Sequence, residues 1–254
     1  MKRFLNGKQL PCLIAAMGVL GCALRSALYA FCVDNRGLLP RSHPVEQALW
    51  LVTALTVALI AAAVRKSSGD NRYEENFGAS LAAAVGHILL AAGMVLTVLG
   101  NPPVMPGRIG QIWKLLGVVS GPLLVYAGFS RAMGKKPFFL SYVVVCVFFA
   151  LHLVCHYRLW CSDPQLQNYV FTFTATLGLM VFAYYQAEAC VTGVNRRNLL
   201  FAGLLTAFLC LVSVSGTQYL YLYLGGAAWA FTGLCSREHT TPPEKKAGGD
   251  DASC

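Results

Sequence analysis

The sequence predicts an all-α fold: a polytopic transmembrane bundle of eight helices with both termini on the cytoplasmic side. Three observations predict it. Of 254 residues, 56% are hydrophobic and only 12% are charged, where an ordinary soluble domain carries about a quarter. Eight apolar runs each approach the roughly 17–25 residues that cross a hydrocarbon core about 30 Å thick. Lys and Arg gather at alternate connections, the pattern of cytoplasmic loops. With a mean hydropathy of +0.56, this composition excludes a disordered chain, a fibrous repeat and an ordinary cytosolic enzyme.

The spans are 13–33, 47–64, 79–99, 112–129, 138–156, 169–185, 199–214 and 219–235. The first follows Lys2, Arg3 and Lys8 and is read as a retained helix rather than a cleaved leader. Leu20 is bulky where a lipoprotein cleavage box wants a small residue, and the run continues to Val33. The second and sixth open with Pro44-x-x-Gln47 and Pro164-x-x-Gln167. The third follows Glu74-Glu75, acids that the positive end of a helix dipole favours. One class of intramembrane protease has a basic residue soon after such a pair, but Gly78 and Ala79 stand here. The fourth carries Gly117 and Gly121 in G-x-x-x-G spacing, with Pro122 beside them; this predicts close packing and a kink. The seventh and eighth are separated only by 215–218, so they are read as a hairpin. Around them, 1–10 is expected to be a cytoplasmic tail and 11–235 the membrane domain. Residues 236–254, with Pro242-Pro243 and Gly248-Gly249 and no apolar period, are expected to form a disordered cytoplasmic tail.

The orientation follows from counting charges. Lys2, Arg3, Lys8, Arg65, Lys66, Arg72, Arg131, Lys135, Lys136, Arg196, Arg197, Arg237, Lys245 and Lys246 make fourteen on one side; Arg36, Arg41, Arg108, Lys114 and Arg158 make five on the other. The richer side is cytoplasmic. Trp50, Trp113 and Trp160 are expected at the outer interface as an aromatic belt. A possible duplication is also visible. Gly69, Asn71, Arg72, Phe77, Leu81 and Ala83 recur as Gly193, Asn195, Arg196, Phe201, Leu205 and Ala207 at a constant offset of 124. Two four-helix halves in parallel orientation would produce this; chance and shared loop chemistry are an equal match.

Arg25 is the conspicuous residue. It lies well inside the first span, past the midplane, where a charge costs at least a few kcal/mol unless paired or hydrated. Gly18, Gly21, Cys22, Arg25, Tyr29 and Cys32 form a stripe at spacings of three and four, so the stripe should face the bundle. Arg25 is then an anchor for an anionic or carbonyl-bearing ligand, a structural group bonded to backbone carbonyls, or a side chain snorkelling outward. No Asp or Glu lies deep in a span, which weakens proton- or sodium-coupled transport. The expected ligand-binding set is Arg25, Tyr29, His87, Ser120, Pro122, Thr172 and Thr176, with 117–122 as a helix break lining a cavity.

No metal site and no cofactor are expected. His152 and His156 are the weak metal candidates, an i, i+4 pair on one face, with a hydrated interfacial pair as the plain reading. Cys32 is placed to pair with Cys155 or Cys161 if the outer compartment is oxidising. Ser213 and Ser215 have no His partner on a facing span, and no catalytic motif is present. In general type alone the chain resembles polytopic proteins of bacterial cytoplasmic membranes. The expected function is a small permease-like or transport-associated protein with its polar site around Arg25. The alternative is a non-catalytic component or sensor acting through helix–helix contacts. Expected partners are the lipid bilayer and either another membrane protein or a second copy of the chain, with no nucleic acid.

Overall fold

The computed structural model describes residues 9–32, 43–65, 79–102, 105, 107–160 and 169–235, without the side chains of 158–160 and 235. Among these residues the fold is all-helical: α1 (Gln9–Phe31), α2 (Pro44–Arg65), α3 (Leu81–Gly100), α4 (Arg108–Ala132), α5 (Leu140–Trp160), α6 (Val170–Val191), α7 (Arg196–Ser213) and α8 (Leu220–Cys235). The first seven are long and apolar enough to cross a membrane, and α8 is shorter than the full span expected for it. At a rise of about 1.5 Å per residue, its 16 residues still cover roughly 24 Å.

Local chemistry sets the helix ends. Pro44 opens α2 with Glu46 in its first turn, a position where proline costs no hydrogen bond and an acid meets the positive end of the dipole. The Ser80 hydroxyl accepts from the Ala83 N–H at 3.3 Å and caps α3. The Asn195 side chain caps α7 through the Arg197 N–H at 3.0 Å. Chain reversal after α4 uses Gly134 at φ 68°, where its N–H returns to the Arg131 carbonyl at 3.1 Å.

Contacts between helices show that successive helices alternate in direction. One end gathers Ser26 with Ser215, Trp113 with His152, His156 with Tyr219, and Trp50 with Phe171. These are the C-terminal parts of α1, α5 and α7 and the N-terminal parts of α2, α4, α6 and α8, with the connections beside them. The opposite end gathers His87, Tyr142 and Trp229. We refer to these as the Arg25 end and the His87 end. Arg65, Arg131, Lys135, Lys136, Arg196 and Arg197 fall at the His87 end, against Arg108, Lys114 and Arg158 at the other.

The packing is a ring with a pair beside it. Helices α3 to α8 pack in chain order, and α8 closes onto α3. The α1–α2 pair lies outside this ring and packs on α7. Glycines set the tightest contacts. Gly93 backs onto the Tyr221 and Leu222 backbone, and a Cβ at Gly225 would stand 2.6 Å from the Leu89 carbonyl oxygen. Gly117 and Gly121 seat α4 on Val98 and Val95 of α3, while Gly18 and Gly21 seat α1 on Leu211 and Val212 of α7. Small residues allow this approach, and dispersion then holds helices that gain nothing from expelling water.

Two expectations need correction. Pro122 neither ends α4 nor lines a cavity: the helix runs from Arg108 to Ala132 through it, and its side chain is exposed. Trp113 is fully buried rather than part of an interfacial belt, whereas Trp50 is 42% exposed. Cys32 and Cys155 are not joined in the structure, where Cys32 Sγ lies 3.4 Å from His43 Nδ1; the other candidate partner, Cys161, is outside the described residues. The packing does not establish two equivalent halves. The pairs α3–α8 and α1–α7 are close, but their exchanged counterparts, α7–α4 and α5–α3, are not among the closely packed pairs. Residues 69–77, Cys161 and the 1–8 and 236–254 tails lie outside the described residues.

Gly225→Val is expected to cost about 1–3 kcal/mol by overpacking the α3–α8 contact. Gly100→Ala is the control, since nothing lies within 4 Å of the added carbon. Apparent melting midpoints in detergent check this, with a clear fall for the first and little change for the second.

Candidate functional site

At the Arg25 end, the stripe on α1 faces inward as expected: Gly18, Gly21 and Arg25 are buried, and Tyr29 is half-buried. Arg25 is only 2% exposed. One terminal nitrogen donates to the Val212 carbonyl at 3.3 Å and the other to the Thr172 hydroxyl at 3.4 Å. Its planar group stands 5.7 Å from the Tyr29 ring and 5.6 Å from the Phe171 ring, a distance at which an aromatic face attracts a cation. The guanidinium thus joins α1 to α6 and α7. Behind Thr172, the Thr176 hydroxyl bonds the Thr172 carbonyl at 2.9 Å and the Tyr223 hydroxyl at 2.8 Å. Tyr29 packs on Gly216, which takes φ 71° in the α7–α8 turn.

A second group lies at the same end, around α5 and α8. The Trp113 indole N–H donates to His152 Nδ1 at 3.2 Å. In a neutral ring this makes Nε2 the protonated nitrogen, and Nε2 is buried with no hydrogen-bond partner among the described residues. His156 Nδ1 meets the His152 carbonyl at 2.8 Å, so it donates, and Nε2 accepts from the Tyr219 hydroxyl at 2.6 Å. The Gln218 amide donates to that same hydroxyl at 2.7 Å. The two imidazoles stand 4.0 Å apart and are 0% and 1% exposed. They are a buried pair, not a hydrated interfacial one, because Trp113 and Tyr219 take the place that water would fill. Three of their four nitrogens are engaged within the protein. Among the described residues no group of three or more His, Cys, Asp or Glu gathers as metal ligands would.

His87 is not part of this end. It lies near the start of α3, where Nδ1 donates to the Ala83 carbonyl at 2.7 Å and Nε2 accepts from the Tyr142 hydroxyl at 3.0 Å. Ser120 is also separate: its hydroxyl bonds the Leu116 carbonyl of its own helix at 2.6 Å. The structure therefore brings together Arg25, Tyr29, Thr172 and Thr176 from the expected set, and leaves out His87, Ser120 and Pro122. A groove of about 270 Å³ lined by residues including Arg65, Tyr185, Asn198 and Phe201 opens between α2, α6 and α7 at the His87 end, away from Arg25.

Tyr223, Tyr219 and Tyr142 were not legible as site residues. Each supplies a hydroxyl to a buried polar partner, and only the i, i+4 spacing of Tyr219 and Tyr223 hinted at a shared face. Arg131 was counted among loop charges; it sits in the last turn of α4 and is 1% exposed. No protein-family model matches the chain, and neither a curated protein nor a solved structure is similar to it.

The His156–Tyr219 contact is a test of how much one such bond contributes. A double-mutant cycle of His156→Leu and Tyr219→Phe on unfolding in detergent should give a coupling of about 0.6–1.7 kcal/mol, the range found between membrane helices. A coupling indistinguishable from zero would show that the bond does not hold α5 to α8.

Proposed function

We propose that the protein lies in the cell membrane of a bacterium with both termini in the cytoplasm. There it works as a small permease-like or transport-associated protein whose polar site is built around Arg25. One observation carries this reading: a guanidinium is held buried inside an apolar bundle, between two aromatic faces and bonded to the Val212 carbonyl and the Thr172 hydroxyl. In a medium of low dielectric a guanidinium attracts an anionic or carbonyl-bearing solute strongly. Tyr29, Thr172, Thr176 and Tyr223 provide the polar wall beside it.

The seam between α6 and α8 supports the same reading. Thr176 meets Tyr223 at the Arg25 end, Leu179 meets Gly226 in the middle, and Phe182 meets Trp229 towards the other end. Polar groups stand at both ends of one seam with an apolar block between them, the layout of a path closed at its centre. The alternative, a component that docks partners through its small-residue faces, is less favoured. Gly18, Gly21, Gly93, Gly117, Gly121 and Gly225 are already packed against other helices of the same chain.

The test is ligand-dependent thermal stabilisation of the purified protein by small carboxylates and phosphate esters. A ligand at about 100 times its Kd adds roughly 2.7 kcal/mol, so at least one solute should raise the midpoint. Arg25→Leu should fold and lose that rise, and Arg25→Lys should keep part of it. A folded Arg25→Leu protein that responds like the wild type, or a wild type that responds to no solute, would overturn the assignment.

A further inference from the structure

The His87 end carries a second cluster of buried polar groups that the Arg25 site does not use. Gln186 on α6 is 1% exposed and Trp229 on α8 is fully buried. Gln186 Nε2 and Trp229 Nε1 are both without a hydrogen-bond partner among the described residues. They lie along the same seam. Gln186 Nε2 stands 3.6 Å from where a Cβ on Gly233 would be, and Gly233 is one turn of α8 beyond Trp229. Phe182, one turn before Gln186, meets the Trp229 ring edge-on at 4.7 Å. Both side chains therefore belong to the α6–α8 seam, and their contacts on α8 are one helical turn apart.

Arg131 brings positive charge to the same place. It follows Gly128 by three residues on α4, and Gly128 backs directly onto His87 and Ala84 of α3. Arg131 is within electrostatic reach of His87 on one side and of Cys190, one turn past Gln186, on the other. His87 itself is saturated by Ala83 and Tyr142.

We propose that the His87 end of the α3–α8 ring is a binding site for a small carboxylate, held by Trp229 Nε1 and Gln186 Nε2 in the field of Arg131. An indole N–H can only donate, and a guanidinium has no acceptor. Leaving two donors buried and unmet is costly, and the group that meets both beside a cation is an acceptor bearing negative charge. A carboxylate offers two oxygens with about four lone-pair directions, enough to take both nitrogens at once. This site stands apart from the Arg25 reading and does not require it.

The test uses trichloroacetate, a carboxylate that quenches tryptophan fluorescence on contact, with trichloroethanol as its neutral counterpart. In the purified full-length protein, trichloroacetate should give a saturable quenching component that acetate competes away, while trichloroethanol gives none. That component should vanish in Trp229→Phe. The near-isosteric Gln186→Glu, which places a negative charge at the site, should weaken it at least tenfold, and Arg131→Gln should do the same. It should persist in Arg25→Leu, so loss of the Arg25 site and loss of this one are separable. The proposal is overturned by the absence of a saturable component in the wild type or its persistence in Trp229→Phe. It is also overturned if acetate leaves the wild-type melting midpoint unchanged at saturating concentration, since a carboxylate bound to the folded protein must raise it.

Discussion

A hydrocarbon surround offers no water to a polar group, so a polar side chain that turns inward is stabilised by a partner within the protein. That constraint organises this bundle. Arg25 ties α1 to α6 and α7, and Tyr223 ties α8 to α6. Trp113 and His152 join α4 to α5, and His156 and Tyr219 join α5 to α8. His87 and Tyr142 join α3 to α5 past the open face that Gly128 leaves on α4. Two histidines on different helices reach the same solution: Nδ1 donates to the carbonyl four residues back, and Nε2 accepts from a tyrosine on another helix. Each tie fixes a register as well as a contact, because a one-turn slip would leave both members unmet.

Between the polar layers the helices are held by shape. α3 is flanked by glycine contacts on both sides: Gly93 and Gly225 bring it against α8, and Gly117 and Gly121 bring α4 against it. Lipid tails are as apolar as leucine, so burial from water drives none of this; close backbone approach and dispersion do. The exposed Leu81, Leu99 and Leu115 belong to the outer surface of the same helices, where lipid is the neighbour and exposure carries no penalty.

The fold was legible because its signals are local. Span length, proline at the head of α2 and the hairpin of α7 and α8 can all be read without knowing which helix lies beside which. The inward stripe of α1, including Arg25, was legible from helical spacing for the same reason. The composition of the site was not. Trp113 and His152 are 39 residues apart and Thr176 and Tyr223 are 47 apart, so their pairing depends on the order of helices around the ring. Arg131 and Trp113 were misplaced because sequence position marks a residue as near a membrane surface, but not whether it turns towards lipid headgroups or the bundle interior. His87 was grouped with Arg25 because both are polar and within spans; alternation of helix direction puts them at opposite ends.

The position of α1 has a consequence for biogenesis. Its buried charge is anchored on Val212, 187 residues further along the chain. Ribosomes add about 5–20 residues per second, so the anchor is made roughly 10–40 seconds after Arg25 itself. Over that interval the α1–α2 hairpin resides in the bilayer without α7, and the side chain must reach towards the lipid headgroups to stay hydrated. Closing the structure therefore includes a late withdrawal of a charged group from the interface, and the arrival of α7 is the event that makes it favourable.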